Sequence, residues 1–320
     1  MINKVAMISI VGRPNVGKST LTNALTGDKV AIVSPKPQTT RNRIFGVFSH
    51  GDMQIILLDT PGFHKARTRL GEYMVGVVRD SIANVDATAL IVEPIDNIGT
   101  QEELLIGHIS RSGIPAVLAI NKIDTVKTDQ ILPIIERYSQ RFGFDEIVPI
   151  SAKTGDGTPQ LIEVFGKYAK PGPQLFPDGM TTDQPEKQII AEIIREKLLI
   201  CLDEEIPHGT AVEITKFSER VIEGAGDVGI RNSEFGIQNE DGGCEEDVII
   251  DIDATIYCEK KSHKGMIIGK NGAMLKKIGQ TAREDIEQFM GARVFLQTWV
   301  KVKENWRDSQ AMIRNLGYQA

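Results

Sequence analysis

Gly12-Arg13-Pro14-Asn15-Val16-Gly17-Lys18-Ser19 has the spacing GxxxxGK[ST], and that spacing does phosphate chemistry. Loop glycines let the backbone wrap a polyphosphate, and amides at the start of the next helix point at it. Lys18 would reach the β and γ phosphates, and the Ser19 hydroxyl would ligate Mg²⁺. Gly12, Asn15, Val16, Gly17 and Thr20 complete the expected cradle. A bare Gly-rich turn is the alternative. The flanks weigh against it: Val5 to Val11 is a short apolar run of the kind buried strands have, and Ser19 to Leu25 reads as the start of a helix.

Three further stretches settle the nucleotide. Ile55-Ile56-Leu57-Leu58-Asp59-Thr60-Pro61-Gly62 is an apolar strand ending in a carboxylate and a turn. Asp59 would hold Mg²⁺ through water, and the Gly62 amide would meet the γ-phosphate. Alone this is an ordinary turn sequence; at this distance after a phosphate loop it is specific. Val117 to Asp124 is another apolar strand and ends in Asn121-Lys122-Ile123-Asp124. Guanine offers two donors side by side, N1–H and the N2 amine, and the two oxygens of Asp124 can take both. Adenine lacks that pair and would leave the carboxylate unpaired, a difference of roughly 10⁴-fold or more. Asn121 and Lys122 would brace the base and the loop. After a third strand, from Ile147, the backbone of Ser151, Ala152 and Lys153 would lie near guanine O6.

Such residues must be held at the C-terminal ends of strands. The order of strands, loops and helices predicts an α/β domain, a doubly wound and mostly parallel P-loop GTPase sheet, over residues 1–170. Between its first helix and the strand at Ile44 lies the Pro- and Ser-containing loop Gln38-Thr39-Thr40-Arg41. A threonine there can ligate Mg²⁺ and sense the γ-phosphate, so that the loop orders with GTP; Thr40 is preferred over Thr39. Lys18, Thr40, Asp59 and Gly62 are thus the candidate catalytic groups. Phe63 stands where many signalling GTPases place a water-orienting glutamine, so slow intrinsic hydrolysis is expected. The adjacent His64 reads as a surface-loop histidine.

Prolines 171, 173, 177 and 185 mark residues 171–187 as a linker. A second, α+β domain is expected over 188–310. It opens with a helix (Ile189, Ile190, Ile193, Ile194, Leu198, Leu199), followed by strands at 210–217 and 248–258. Then comes Lys264-Gly265-Met266-Ile267-Ile268-Gly269-Lys270-Asn271-Gly272, with Lys276 and Lys277 beyond it and a strand from Arg293 to Val302. A GxxG between two helices lets an RNA backbone approach closely. Strands before the GxxG helices and one after are the order of a type II KH domain. Lys264, Gly265, Ile268, Gly269, Lys270, Asn271, Gly272, Lys276 and Lys277 are the candidate RNA contacts.

The net charge of −6 hides an uneven distribution. Glu259 to Arg307 holds 11 Lys and Arg against 5 Asp and Glu, whereas Glu219 to Asp253 holds 2 against 11. A basic RNA-facing stretch and an acidic one are neighbours in sequence. Residues 219–247, rich in Gly, read as an insertion between two KH strands.

In these motifs and their order the chain resembles the Era family of bacterial GTPases over nearly its whole length. Gly12 to Leu21, Gln38 to Arg41, Thr182-Asp183-Gln184-Pro185, Glu192 to Lys197, Ile206-Pro207-His208 and Trp306-Arg307-Asp308 are similar to the family's own segments. The resemblance implies GTP binding and hydrolysis, with GTP/GDP and Mg²⁺ as cofactors. It implies binding of the 16S rRNA 3′ end through the KH domain and assistance to 30S subunit maturation. It also implies a cytoplasmic location with some peripheral membrane association, and a K⁺ ion beside Asn15. A monomer with no obligate protein partner is expected.

Cys201, Cys244 and Cys258 lack metal spacing, and three of them fit reduced thiols. Met1 to Lys4 leads straight into a strand, so no signal peptide is expected, and no apolar run reaches the ~18–20 residues of a membrane span. Two other readings stay open: a non-hydrolytic RNA binder gated by GTP, and a GTPase acting on another RNA or in membrane traffic. Lys18, Ser19 and Asp59 favour the enzyme; Phe63 keeps the non-hydrolytic reading alive.

Overall fold

The computed structural model describes residues 2–221 and 248–318. The apolar run Lys4–Val11 becomes β1, the centre of the first sheet. It lies parallel to β3 (Met53–Asp59) on one side and to β4 (Ala87–Val92) on the other, with β2 (Ile44–His50) antiparallel at the β3 edge. Beyond β4 come β5 (Ala116–Ile120) and β6 (Glu146–Pro149), both parallel. Helices cover both faces, so the middle strands are apolar on both sides. α1 (Lys18–Thr26) and α5 (Thr158–Gly166) close one core with Ile8, Ile55 and Ala89. On the other face α2 (Arg69–Ala83), α3 (Thr100–Ser112) and α4 (Ile131–Arg141) pack on Val11, Leu90 and Leu118. Strand order reverses between β1 and β4, which opens a crevice at the strands' C-terminal ends. The loop after β1 sits in it.

The Pro-rich segment is laid along the first domain. Its start, β7 (Lys170–Pro171), pairs antiparallel with Lys4 and Val5. Gln54 Oε1 accepts from the amides of Leu175 and Phe176, and the Thr181 carbonyl accepts from Val47 N.

The second domain has a three-stranded sheet of β8 (Ala211–Val221), β9 (Val248–Cys258) and β10 (Arg293–Val302), with β9 central. β8 runs antiparallel and β10 parallel to β9. Helices α6 (Glu186–Cys201), α7 (Lys261–Ile268) and α8 (Ala273–Met290) pack on one face of it. Ile250, Ile252, Ala254, Ile256 and Cys258 alternate into that core. β8 runs on through Glu219, Arg220 and Val221, so the first three residues of the expected insertion are strand, paired with Ile250, Ile249 and Val248. The rest of that segment lies outside the described residues.

A last helix, α9 (Gln310–Asn315), and the turn before it return to α2. There Trp306, Ile313, Leu316 and Tyr318 join Leu70 and Met74 in one apolar cluster. Trp306 is fully buried, and its indole N–H donates to Gly209 O at 2.9 Å. Trp306→Ala is expected to destabilise the chain by about 3–5 kcal/mol in equilibrium denaturation. A loss under ~1 kcal/mol would mean that this cluster does not hold the C-terminal turn.

Candidate functional site

The loop from Gly12 to Gly17 is shaped by close approaches that exclude side chains. A Cβ on Gly12 would stand 2.5 Å from the Ile91 carbonyl oxygen. Gly17 has φ +97°, and a Cβ there would meet Asn121 Nδ2 at 2.2 Å. Asn121 is the brace: its Nδ2 donates to Val16 O (2.8 Å), and its Oδ1 accepts from Ala152 N (2.9 Å). One buried amide thus joins the phosphate loop to the loop after β6. Lys122, at φ +64°, donates to Asn15 O and pairs with Glu93. Glu93 also takes Arg13 at 2.6 Å, and Arg13 reaches the buried Glu102.

Lys18 is buried and donates to Gly12 O (3.2 Å) and Arg13 O (3.0 Å). Three oxygens gather beside it. Ser19 Oγ lies 2.8 Å from Thr40 Oγ1 and donates to Asp59 Oδ2 at 2.7 Å. Asp59 is fully buried, and its other oxygen, Oδ1, has no hydrogen-bond partner. A buried carboxylate oxygen without a donor is costly unless something cationic meets it. Thr39 points elsewhere, donating to Lys36 O at 2.6 Å. On the other wall Gly62 presses on the phosphate loop, where a Cβ would stand 2.7 Å from Pro14 Cα. Phe63 is buried toward α3, edge-on to His108 at 5.9 Å, so its side chain is out of reach of the phosphate side. His64 Nδ1 is engaged by Gly62 O.

The cleft between these walls has a volume of about 430 Å³ and runs from Lys122 past Lys18 and Ser19 to Thr40 and Gly62. Two residues beyond Lys122, Asp124 is exposed outside the lining of this cleft, and its Oδ1 accepts from Ser151 Oγ at 2.7 Å. Ser151 and Ala152 are buried; Lys153 is exposed.

Burial sets the titration of the two facing charges. It pushes the Asp59 carboxyl up to about 6, against the pull of Lys18 and the Ser19 hydroxyl. It pushes Lys18 down to about 8, against the pull of Asp59. Folding therefore takes up protons at Asp59 from its ordinary range to about 6, so stability falls as pH rises through that window. Folding releases protons from Lys18 between about 8 and its ordinary range, so stability rises with pH there. As far as these groups act, the ligand-free chain is least stable between about 6 and 8, where both are charged. Melting temperature across pH, with and without nucleotide and Mg²⁺, checks this: the dip is expected in the ligand-free curve and not in the loaded one.

In the second domain α7 and α8 flank Gly269–Gly272. Gly269 has φ 72° and ψ 177°, a region open in practice to glycine alone. A Cβ there would stand 2.7 Å from Met274 Cβ. Asn271 also has positive φ (51°). Lys264, Gly265, Lys270, Asn271, Lys276 and Lys277 are exposed, and Ile268 and Gly272 are half-buried.

Sequence reasoning missed Glu93, which ties Lys122 and Arg13 together across the phosphate loop. Its one signal was a carboxylate directly after the apolar run of β4. It also missed α6 as a partner of the loop around Thr40.

A doubly wound sheet carrying this loop and the Asn121-Lys122-Ile123-Asp124 turn, followed by a GxxG domain, defines a P-loop GTPase fused to a KH domain. Family models agree: residues 7–122 match a 50S ribosome-binding GTPase and residues 234–307 a KH domain. The chain is 47% identical to GTPase Era of Ruminiclostridium cellulolyticum over 319 residues, covering 100% of this chain and 99% of that one. It is also 47% identical to GTPase Era of Clostridioides difficile, covering 98% of each. Two solved structures superpose along the whole chain. Era in complex with MgGDPNP and nucleotides 1506–1542 of 16S ribosomal RNA has a TM-score of 0.88 at 34% identity, covering 99% of this chain and 100% of that one. An Aquifex aeolicus Era variant bound to GDP.AlF4- has a TM-score of 0.87 at 35% identity, with the same coverage. The chain belongs to the Era family of GTPases.

Proposed function

We propose that this chain binds and hydrolyses GTP, grips the 3′ end of 16S rRNA through its KH domain, and assists 30S subunit assembly. The observation that carries the first part is the convergence of Ser19, Thr40 and Asp59 beside Lys18, with Asp59 Oδ1 unpartnered. These groups fit Mg²⁺: two hydroxyls and a carboxylate are its ligand chemistry. When bound, the ion neutralises charge on the β and γ phosphates. The chain does the rest. Lys18 adds a cation over the same phosphates, and the Gly62 amide marks the γ-phosphate. Asp124 reads guanine, while Asn121 and Lys122 keep the base and phosphate loops in register. Phe63 leaves the attacking water without a side chain to orient it, so intrinsic turnover is slow.

The relative crystallised with MgGDPNP and the 16S segment supports the RNA assignment, as do the exposed lysines around Gly269–Gly272. Multiple-turnover phosphate release tests the enzyme reading. GTP is expected to turn over and ATP is not, and Lys18→Ala is expected to lose at least about 100-fold in rate. No phosphate release above the protein-free rate would instead support the GTP-gated, non-hydrolytic binder.

Asn15 stands at the rim of the phosphate loop with φ 66°, and its amide donates to Pro35 O at 2.6 Å. We infer that K⁺ binds beside it. Equal hydrolysis rates in potassium and sodium buffers would count against this. No helix among the described residues is long and apolar enough to cross a membrane. A cytoplasmic site with peripheral membrane contact is the location we infer.

A further inference from the structure

The loop from Lys29 to Asn42, which carries Thr40, is held mainly by the second domain. Lys29 Nζ pairs with Glu196 of α6 (2.7 Å) and Asp285 of α8 (2.8 Å). Val33 N donates to Glu196 Oε1 at 2.9 Å. Arg41, 1% exposed, donates to Thr210 O and His208 O and lies over the Trp306 ring. Closest to the site is Arg195 of α6, which is fully buried. Its guanidinium pairs with Glu192 and donates to the carbonyls of Gln38 (3.3 Å) and Thr39.

Two features give Arg195 more than a docking role. The Thr39 carbonyl belongs to the peptide unit that carries Thr40 N, so holding it fixes the plane from which Thr40 Oγ1 reaches Ser19 Oγ. Gln38, a non-glycine residue, sits at φ +61°. Such a conformation costs on the order of 1 kcal/mol or more and persists only when something outside the loop imposes it. Arg195 grips the carbonyl of that same residue. The apolar face of α6, flanking Arg195, is continuous with the RNA-binding helices. Ile190, Ile194 and Leu198 share a core with Ile278, Ala282 and Ile286 of α8, the helix that directly follows Gly272. Asp285 of α8 reaches both Lys197 and Lys29.

We propose that Arg195 is the positioning residue through which the RNA-binding domain sets Thr40, so that discrimination between GTP and GDP depends on how that domain is seated. The proposal rests on Thr40 as the γ-phosphate sensor. A docking role alone would act on both nucleotides equally; a role through Thr40 acts on the triphosphate only.

The test uses the full chain with Arg195→Ala and Arg195→Lys, each checked for folding by thermal melt. Affinities are measured with Mg²⁺ for a non-hydrolysable GTP analogue and for GDP, and for the 3′-terminal 16S segment in each state. Arg195→Ala is expected to lose about 10-fold for the analogue, the equivalent of one charge-assisted hydrogen bond, and less than about two-fold for GDP. Arg195→Lys keeps the charge and reaches one carbonyl, so an intermediate loss is expected; it carries the test alone if the alanine variant does not fold. The preference of RNA for the triphosphate state should shrink in the same order. Equal losses for both nucleotides, or no loss in either variant, would overturn the proposal. Equal RNA affinity in both states of the unmodified chain would remove GTP gating of RNA binding, while the analogue-to-GDP ratio would still decide the role of Arg195.

Discussion

Replacing Gly269 by Asp is expected to weaken binding of the 3′-terminal 16S segment by roughly 100-fold or more. Three causes act together. The backbone at φ 72°, ψ 177° is one that a side chain adopts only at a cost of about 1–3 kcal/mol. A Cβ would stand 2.7 Å from Met274 Cβ, so the loop must move away from the start of α8. The new carboxylate would then lie between Lys270 and the phosphates it is placed to meet, repelling them. Gly272→Ala is the contrasting variant. Its φ is also positive, at +77°, but nothing lies within 4 Å of a Cβ there. A loss of about five-fold, from backbone strain of about 1 kcal/mol, is expected. Filter binding at one fixed salt concentration measures both. Similar modest losses for the two variants would mean that the close approach at Gly269 is not what grips RNA.

Asp124→Asn is expected to lower GTP affinity by about 10³-fold or more. In the proposed base reading, the exchange replaces a carboxylate acceptor facing N1–H and the N2 amine with an NH₂ donor set against a donor. The loss should be specific to the base rather than general. Xanthine carries a carbonyl where guanine carries the amine, and the asparagine NH₂ can donate to it. Affinity for the xanthine nucleotide should therefore rise as that for GTP falls. Calorimetric titration of both nucleotides reads the exchange directly. A parallel loss for both would indicate that the substitution disturbs the Ser151 contact at 2.7 Å rather than base reading.

The phosphate loop, the strand carrying Asp59 and the guanine-side loop were legible because each is local. Every one is an apolar strand followed at once by its polar residues, and the strand period places them. The GxxG turn was legible because its glycines and lysines are also local, set between two helices. What the sequence hid is long-range. Arg195 stood in a segment matched only by family resemblance, with no chemistry of its own, yet it is fully buried against carbonyls more than 150 residues away. Arg41 was visible within a motif but without a role, since its acceptors are carbonyls of residues 208 and 210. Glu219 and Arg220 disguised the end of β8, because charged residues on an exposed strand face resemble the start of an acidic loop. The pairing of β7 had no signal at all, being two residues long within a Pro-rich run.

The central claim is that one chain couples guanine-nucleotide state to a grip on the 3′ end of 16S rRNA. Its most direct test is the affinity of that RNA segment for the full chain, measured with a non-hydrolysable GTP analogue and with GDP. The account predicts tight binding with the analogue, weaker binding with GDP, and loss of both with Gly269→Asp. Equal affinity in the two nucleotide states, or binding that survives Gly269→Asp, would contradict it.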